Sequence, residues 1–396
     1  MEKSRKILIF STAYYPFVGG AEVAVKEITD RVSSVEFDLI TARFKRDLPK
    51  FQRIGNINVY RIGLSVSILD KLLLPFWGAI LALNLNRKTH YDFFWCIMAT
   101  FGSGAAYIVN LIHFWEQTSI ILTLQEGDSE EHFKTRWFGL INLSWRLALK
   151  NTNILTTISS YLGNRAKRLG YKGEIKIIPN GVDVKRFDIN QSQDERLKIR
   201  KGLGLEEKDI ALITTSRLTL KNGVGDVIKA LPNLPGNTKF IIFGEGHLDK
   251  GLRKLAKDLK VSERVIFRGH VSHSEMPKYL KACDIFIRPS LSEGMGNSFI
   301  EAMAAKLPVV ATPVGGITDF VFEASPNSEV GRGQTGYFCK PENPKSVVET
   351  VKRVISDNQK NEIIENAYKM VKEKYDWDIV ASQMKEVFDK IKKISI

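Results

Sequence analysis

The chain has 396 residues, more than one hydrophobic core usually supports, so two domains are expected. With 44% hydrophobic and 26% charged residues, the composition excludes extensive disorder and is typical of a globular protein. The formal net charge of +14 favours anionic partners, either phosphorylated ligands, an acidic membrane surface or nucleic acid, and does not choose among them.

Cysteine content and apolar stretches favour a cytoplasmic location. The three cysteines, Cys96, Cys283 and Cys339, lie far apart and offer neither a disulfide framework nor a metal-binding spacing. The N-terminal stretch lacks the apolar length and the cleavage site of a signal peptide. The charge-free stretch 72–86 is shorter than the ~20 residues that cross a bilayer, so it is predicted to be a buried or interfacial helix.

The first half of the chain alternates short apolar runs with segments of helical length. Gly19 and Gly20 lie between the first run and a predicted helix at 22–32, where a turn can approach a phosphate closely. The pair is not the G-x-G-x-x-G fingerprint, so it is weak support for such a role, and Glu22 can instead simply stabilise the helix N-terminus. The predicted strands of this half lie at 7–10, 37–40, 59–62, 93–98, 120–124, 154–158 and 175–178.

The polar stretch 188–195 is the best candidate for a domain linker, and a second alternating series follows it. Apolar strands joined by helices predict a parallel sheet covered on both faces, so the two series predict two doubly wound domains, 1–187 and 188–376. Residues 377–396 show the apolar spacing of an amphipathic helix that needs a surface to dock on. Strands of the second series are predicted at 210–215, 240–243, 265–267, 285–287 and 309–311.

Two glutamates stand at the ends of one predicted loop–helix unit in the second domain. Glu293 follows a strand, and Gly294 and Gly296 allow a tight turn. Glu301 lies in the first turns of a helix that begins near Asn297 or Ser298, either of which can serve as its N-cap. Such carboxylates can bind the hydroxyls of a ribose and a hexose while helix-start amides face a phosphate. The spacing alone is explained equally well without a ligand, with Glu293 as a surface loop residue and Glu301 as a side chain that complements the helix dipole.

A basic loop follows the first strand of the second domain. Arg217 and Lys221 stand after the strand end, and Gly223 opens the next helix. Two cations at a helix start suit a diphosphate leaving group, because they neutralise its developing charge. A solvated basic loop is the commoner fate of an isolated arginine and lysine.

The stretches PSLSEGMGN, EAMAAKLPVVAT and VGGI, within 289–317, resemble the E-x7-E signature of the large retaining glycosyltransferase family four. Glu293 and Glu301 occupy its two glutamate positions, and the GGAE sequence at 19–22 resembles another loop of the family. The resemblance implies the GT-B architecture: two Rossmann-like doubly wound domains facing a cleft, with a C-terminal helix that crosses back to the N-terminal domain.

The resemblance also implies roles for the two domains and for particular residues. Domain 1–187, joined by helix 377–396, would bind the acceptor, and domain 188–376 would bind a UDP- or GDP-sugar. Glu301 would bind ribose and Glu293 the transferred sugar, while Arg217 and Lys221 would replace a metal, so no metal or cofactor is expected. The donor-binding set is completed by Gly19, Gly20, Gly294, Met295, Gly296, Asn297 and Ser298.

The first domain departs from the family where many members carry a histidine near the reacting sugar. Gln125 stands at that position, with Glu126 and Asp128 beside it. Either carboxylate is able to orient or deprotonate the acceptor, and both are equally well explained as solvated loop residues. The motif Asp376-Trp377-Asp378 spells D-x-D, but its place at a helix start predicts a cap rather than a metal site.

The predicted function is therefore retaining hexosyl transfer to a glycan or lipid-linked acceptor. Segment 133–150 mixes aromatic and basic residues and, with 72–86, predicts either attachment to an anionic inner membrane face or two core-packed helices. Nucleic acid is not expected, because no zinc-finger spacing or RNA-binding aromatic motif is present. The alternatives are a nucleotide-sugar epimerase of the same fold and a non-catalytic protein that binds an anionic ligand.

Overall fold

The computed structural model describes residues 5–112, 117–127, 140–323 and 333–390. The chain divides into two compact units, one formed by Met1–Asn180 with Trp377–Ile396 and the other by Gly181–Asp376. Each unit contains a sheet of parallel strands with helices between them, as the alternating apolar runs predict.

The sheet of the first unit has eight strands in the order β3-β4-β2-β1-β5-β6-β7-β8. All neighbours are parallel except β3 and β4, which pair as an antiparallel hairpin. The hairpin strand β3 is absent from the sequence prediction because its residues are mostly exposed and form no apolar run. The strands are β1 Arg5–Phe10, β2 Val35–Ala42, β3 Phe51–Ile54, β4 Ile57–Ile62, β5 Phe93–Ile97, β6 Ser119–Leu124, β7 Ile154–Thr157 and β8 Ile175–Ile177.

Five described helices lie between these strands or follow them. They are α1 Gly20–Arg31, α2 Ser67–Thr89, α3 Phe101–Ile112, α4 Leu140–Lys150 and α5 Ser160–Arg168.

Helix α2 is longer than the apolar stretch 72–86 suggested. It has 23 residues and is long and apolar enough to cross a membrane, although only 28% of its apolar window is buried within the protein. The helix begins at Ser67 and ends at Thr89, so it includes polar residues on both sides of the apolar stretch. In its first turn, the Asp70 carboxylate accepts the Leu64 amide at 2.6 Å. Gly78 allows close packing on α3, since a Cβ there would lie 2.9 Å from the Ala105 methyl carbon.

The second unit has six parallel strands in the order β11-β10-β9-β12-β13-β14. These are β9 Ile210–Thr215, β10 Thr238–Phe243, β11 Val265–Gly269, β12 Ile285–Arg288, β13 Val309–Ala311 and β14 Tyr337–Phe338. Its helices are α6 Val184–Phe187, α7 Gln193–Leu203, α8 Val224–Ala230, α9 Asp249–Asp258, α10 Met276–Ala282, α11 Asn297–Ala304, α12 Pro344–Ser356 and α13 Lys360–Lys374.

The first unit ends at Asn180 rather than at 187, and the polar stretch 188–195 lies within the second unit. Phe187 is fully buried, and its ring centroid lies 5.5 Å from that of His273. Ser192 caps α7 in a capping box with Glu195. The polar residues of this stretch therefore start a helix instead of forming a linker.

The C-terminal helix α14, Trp377–Lys390, belongs to the first unit, which confirms the predicted crossing back. Phe388 is fully buried, and its ring centroid lies 5.3 Å from Trp95, 5.6 Å from Phe93 and 6.0 Å from Phe37. At the other end of the helix, Arg31 donates to the Asp378 carboxylate at 2.7 Å. The helix thus supplies part of the first unit's core.

Candidate functional site

The two predicted glutamates lie at the carboxyl edge of the second unit's sheet. Strand β12 ends at Arg288, loop 289–296 follows it, and α11 begins at Asn297. The loop that follows the neighbouring strand β9 bonds directly to this loop, because the Leu291 amide donates to the Lys221 carbonyl at 2.7 Å. The basic loop and the glutamate loop are therefore adjacent, where ligands of such folds bind.

Two glycines hold loop 289–296 from either side. Gly223 has φ +66°, and a Cβ there would lie 1.9 Å from the Pro289 carbonyl oxygen. Gly315 has φ +56°, and a Cβ there would lie 1.8 Å from the Glu293 carbonyl oxygen. Both the left-handed backbone and the close approach require glycine.

Glu293 is held by Arg288, a residue to which the sequence interpretation gave no role. The Arg288 guanidinium lies 2.9 Å from the Glu293 carboxylate and donates to the Ser298 hydroxyl at 2.7 Å. It stacks 4.4 Å from the Phe299 ring centroid and is only 7% exposed. Burial lowers the pKa of Arg288, and the glutamates Glu293 and Glu301 oppose that shift. A charged residue closing the apolar strand IFIR was the available signal.

Glu301 lies in the first turns of α11, and its side chain is 14% exposed. One carboxylate oxygen lies 2.7 Å from the imidazole Nε2 of His273. His273 stands in the loop after β11, far from Glu301 in sequence, so spacing gave no signal for this contact. The structure therefore brings both glutamates next to basic side chains of their own unit.

The start of α11 differs in one detail from the prediction. Its N-cap is Gly296, with φ +99°, rather than Asn297 or Ser298. The Ser298 hydroxyl accepts a bond from Arg288 instead of capping the helix. Gly294 and Met295 are buried, so only their backbone groups are candidates for ligand contact. The residues from Met295 to Ser298 lie at the helix start, where backbone N–H groups suit a phosphate.

Arg217 and Lys221 stand in the loop that follows β9. Arg217 is exposed, and its carbonyl accepts the Asn222 side-chain amide at 2.6 Å, which fixes the backbone while leaving the guanidinium at the surface. Lys221 is half-buried, and its carbonyl accepts the Leu291 amide. Both cations are thus carried by the loop that supports the glutamate loop.

Gly19 and Gly20 lie in the first unit, at the start of α1. Gly19 is the N-cap and Gly20 is the first helical residue, so the predicted turn is present. A Cβ at Gly19 would lie 2.8 Å from a carboxylate oxygen of Glu22, a side chain that is nearly buried. The glycine therefore makes room for that glutamate at the helix start.

Glu126 follows β6 in the first unit and is not the solvated residue of the alternative interpretation. Its two carboxylate oxygens accept the Ala99 amide at 2.6 Å and the Gln125 amide at 2.9 Å. Burial raises the pKa of Glu126 from 4.5 to about 7, although the two amide bonds oppose that shift. Gln125 accepts a bond from the Asn180 side chain at 3.1 Å. Asp128 and residues 133–139 lie outside the described residues.

Within the four described ranges, no group of three or more His, Cys, Asp or Glu side chains is arranged to hold a metal ion. The three cysteines are buried and free. Burial raises the pKa of the Cys339 thiol to about 12 and the pKa values of the Cys96 and Cys283 thiols well above their usual range. These thiols are therefore protonated core residues.

Comparison with known proteins gives two family matches and several relatives. Residues 18–186 match the family model "Glycosyltransferase Family 4", and residues 195–370 match "Glycosyl transferases group 1". An uncharacterized glycosyltransferase of Methanocaldococcus jannaschii is 29% identical over 400 residues, which cover 97% of each chain. A GDP-mannose-dependent monoacylated alpha-(1-6)-phosphatidylinositol monomannoside mannosyltransferase of Corynebacterium glutamicum is 34% identical over 184 residues, 44% of this chain and 48% of that one.

Among solved structures, Anabaena HepE in complex with UDP and glucose superposes with a TM-score of 0.75. The superposition covers 98% of this chain and 100% of that chain at 21% sequence identity. At that identity the likeness concerns the fold.

Proposed function

Because the chain is a glycosyltransferase that belongs to family 4, we propose that it transfers a hexose from a UDP- or GDP-sugar to a glycan or lipid-linked acceptor with retention of anomeric configuration. One observation carries the proposal. The loop with Glu293 and the start of α11 with Glu301 lie beside the basic loop of Lys221, joined by the Leu291–Lys221 backbone bond. Carboxylates for sugar hydroxyls and cations for phosphates are thereby combined at one sheet edge.

In the proposed donor complex, Glu301 accepts bonds from the ribose hydroxyls and Glu293 from hydroxyls of the hexose. Arg217, Lys221 and the amides at the start of α11 stabilise the charge that develops on the diphosphate as it leaves. The bond from the anomeric carbon to the diphosphate oxygen breaks, and a bond to the acceptor oxygen forms on the same face. The acceptor proton passes to the departing phosphate oxygen, so the step needs no metal and no separate base.

The acceptor side is proposed to involve the loop after β6. Both oxygens of Glu126 bind backbone amides, which suits this carboxylate to holding the loop and the start of α3 in place. Gln125, fixed by Asn180, occupies the position of the family histidine and presents an amide that cannot serve as a base.

We also propose that α2 attaches the protein to the anionic inner face of the membrane, where a lipid-linked acceptor resides. Four apolar side chains recur at helical spacing on its outward face and are largely exposed: Ile68 (70%), Leu72 (45%), Phe76 (59%) and Ile80 (59%). The exposed cations Lys71, Arg87 and Lys88 lie on the same helix. The name of the Corynebacterium relative specifies a phosphatidylinositol mannoside acceptor, which supports this class of substrate.

The donor proposal is tested by a panel of UDP-, GDP- and ADP-sugars, measured by thermal shift and by nucleotide release with an acceptor. We expect one donor class to stabilise the protein, and Glu301→Gln to weaken its binding. The matched control is Glu349→Gln, which changes an exposed glutamate on α12 of the same unit. Unchanged donor affinity in Glu301→Gln would exclude the ribose role. Sugar interconversion without an acceptor would instead identify an epimerase, and binding without turnover a non-catalytic protein.

The membrane proposal is tested by co-sedimentation with vesicles that contain or lack anionic lipid. We expect the wild type to pellet with anionic vesicles at low salt, and Phe76→Glu to remain in the supernatant. Phe51→Glu is the control, because Phe51 is 54% exposed on β3 in the same unit. Equal pelleting of both variants, or none by the wild type, would exclude α2 as the attachment surface.

A further inference from the structure

We propose that His273 is a positioning residue for donor binding, which holds the Glu301 carboxylate in the orientation that receives the nucleotide ribose, and that Arg186 holds His273. The inference rests on the proposed ribose role of Glu301. It assigns a function to two side chains that belong to neither the E-x7-E segment nor the basic loop.

The three side chains form a continuous chain of hydrogen bonds. Nε2 of His273 lies 2.7 Å from a carboxylate oxygen of Glu301, and Nδ1 lies 2.6 Å from the Arg186 guanidinium. A guanidinium only donates, so Nδ1 must accept and Nε2 must carry the proton that is donated to Glu301. Arg186 also donates to the His273 carbonyl oxygen, which fixes the backbone together with the ring. The arginine thus selects the tautomer that is useful to the glutamate.

Arg186 is itself anchored by its short helix. Asp183 caps α6 by accepting the Arg186 amide at 3.1 Å, and Phe187 is fully buried beside it. The Phe187 ring centroid lies 5.5 Å from that of the imidazole and 5.7 Å from the guanidinium carbon of Arg186. His273 is 45% exposed, yet it is held by an aromatic ring, a guanidinium and a carboxylate. These contacts select one orientation of a side chain that would otherwise rotate at the surface.

The consequence for Glu301 is a fixed carboxylate plane with free acceptor capacity. A carboxylate offers about four lone-pair sites, and His273 uses one of them. The second carboxylate oxygen and the remaining lone pair of the first oxygen then point in fixed directions, so they can accept bonds from two adjacent hydroxyls together. Since immobilising a flexible side chain opposes binding by about 0.5–1.5 kcal/mol, fixing Glu301 in advance should strengthen ribonucleotide binding about 2- to 10-fold.

The test compares nucleotide binding by titration calorimetry, with the nucleoside diphosphate that the donor panel identifies and with its 2′-deoxy analogue. We expect His273→Ala to weaken ribonucleotide binding about 2- to 10-fold and to weaken binding of the 2′-deoxy form, which keeps only the 3′-hydroxyl for Glu301, by a smaller factor. His273→Gln, whose amide can still donate to Glu301, should recover part of the loss. The donor KM should rise while kcat stays near the wild-type value. Ser274→Ala, a change at an exposed neighbour that bonds only to Ser272 among the described contacts, is the control.

A double variant separates this inference from the donor proposal on which it rests. If His273 acts through Glu301, His273→Ala combined with Glu301→Gln binds ribonucleotide no more weakly than Glu301→Gln alone. The inference is overturned if Glu301→Gln abolishes the preference for the ribonucleotide over its 2′-deoxy analogue while His273→Ala keeps the full wild-type preference. Equal loss for both nucleotides also overturns it, since that result indicates a disturbed loop. If Glu301→Gln leaves the ribose preference intact, the ribose assignment fails and the inference fails with it.

Discussion

Replacing Gly315 by alanine should disturb the glutamate loop directly. The backbone at this position has φ +56°, a conformation that costs an alanine about 1–2 kcal/mol relative to glycine. The new methyl carbon would also lie 1.8 Å from the Glu293 carbonyl oxygen, so loop 289–296 must move. Forced repacking of this kind typically adds about 1–3 kcal/mol. The combined loss in free energy of unfolding is therefore at least about 2 kcal/mol.

The assay is thermal unfolding, paired with a donor-binding titration. For a unit of this size, about 2 kcal/mol lowers the melting temperature by at least about 4 °C, and displacement of Glu293 should weaken donor binding as well. Gly251→Ala is the matched control, because Gly251 lies inside α9 with nothing within 4 Å of an added Cβ. That change should stabilise the helix by about 0.5–1 kcal/mol. If Gly315→Ala melts at the wild-type temperature and binds donor normally, the close packing of Gly315 on Glu293 is refuted.

Three further substitutions test other parts of the structure. Phe388→Ala should destabilise the first unit by about 3–5 kcal/mol in chemical denaturation, because the ring packs on three aromatic side chains; a loss below about 1 kcal/mol would contradict that packing. Asp284→Ala should lower the free energy of unfolding by about 3 kcal/mol, since it leaves the Arg200 guanidinium, 1% exposed, without its carboxylate partner. A loss no greater than that caused by breaking an exposed ion pair would contradict this prediction. Burial raises the pKa of Glu126 from 4.5 to about 7, so the folded chain binds a proton at this carboxyl more tightly than the unfolded chain. The contribution of Glu126 to the free energy of unfolding therefore declines as the pH rises from 4.5 to about 7. The melting temperature of the wild type relative to Glu126→Gln should therefore fall between pH 5 and pH 8, and a constant difference would show that Glu126 does not titrate there.

The sequence predicted the parts of the site that lie close together along the chain. Strand β12, its glycine-rich loop and helix α11 follow from an apolar run, a turn signal and helical periodicity, so Glu293 and Glu301 were placed correctly on a loop and the next helix. The basic loop lies beside this segment because β9 and β12 are neighbours in the sheet and their carboxyl ends meet at one edge, a strand order that the sequence pattern does not give.

The remaining parts depend on contacts between distant segments. The link from His273 to Glu301 joins different strand–helix units, and no spacing rule reports it. Arg288 was overlooked because burial of its guanidinium depends on the ring of Phe299 and the carboxylate of Glu293. Glu126 was ambiguous for the same reason, since the amide of Ala99 comes from another loop.

The contribution of α14 to the first unit has a consequence for the order in which the protein is synthesised. Residues 181–376 form a contiguous unit, whereas the first unit requires residues on both sides of it. On the ribosome, the aromatic cluster of the first sheet stays without the Phe388 ring until the final helix has been made. We therefore expect the second unit to complete its folding on the ribosome before the first, although its residues follow most of the first unit in sequence.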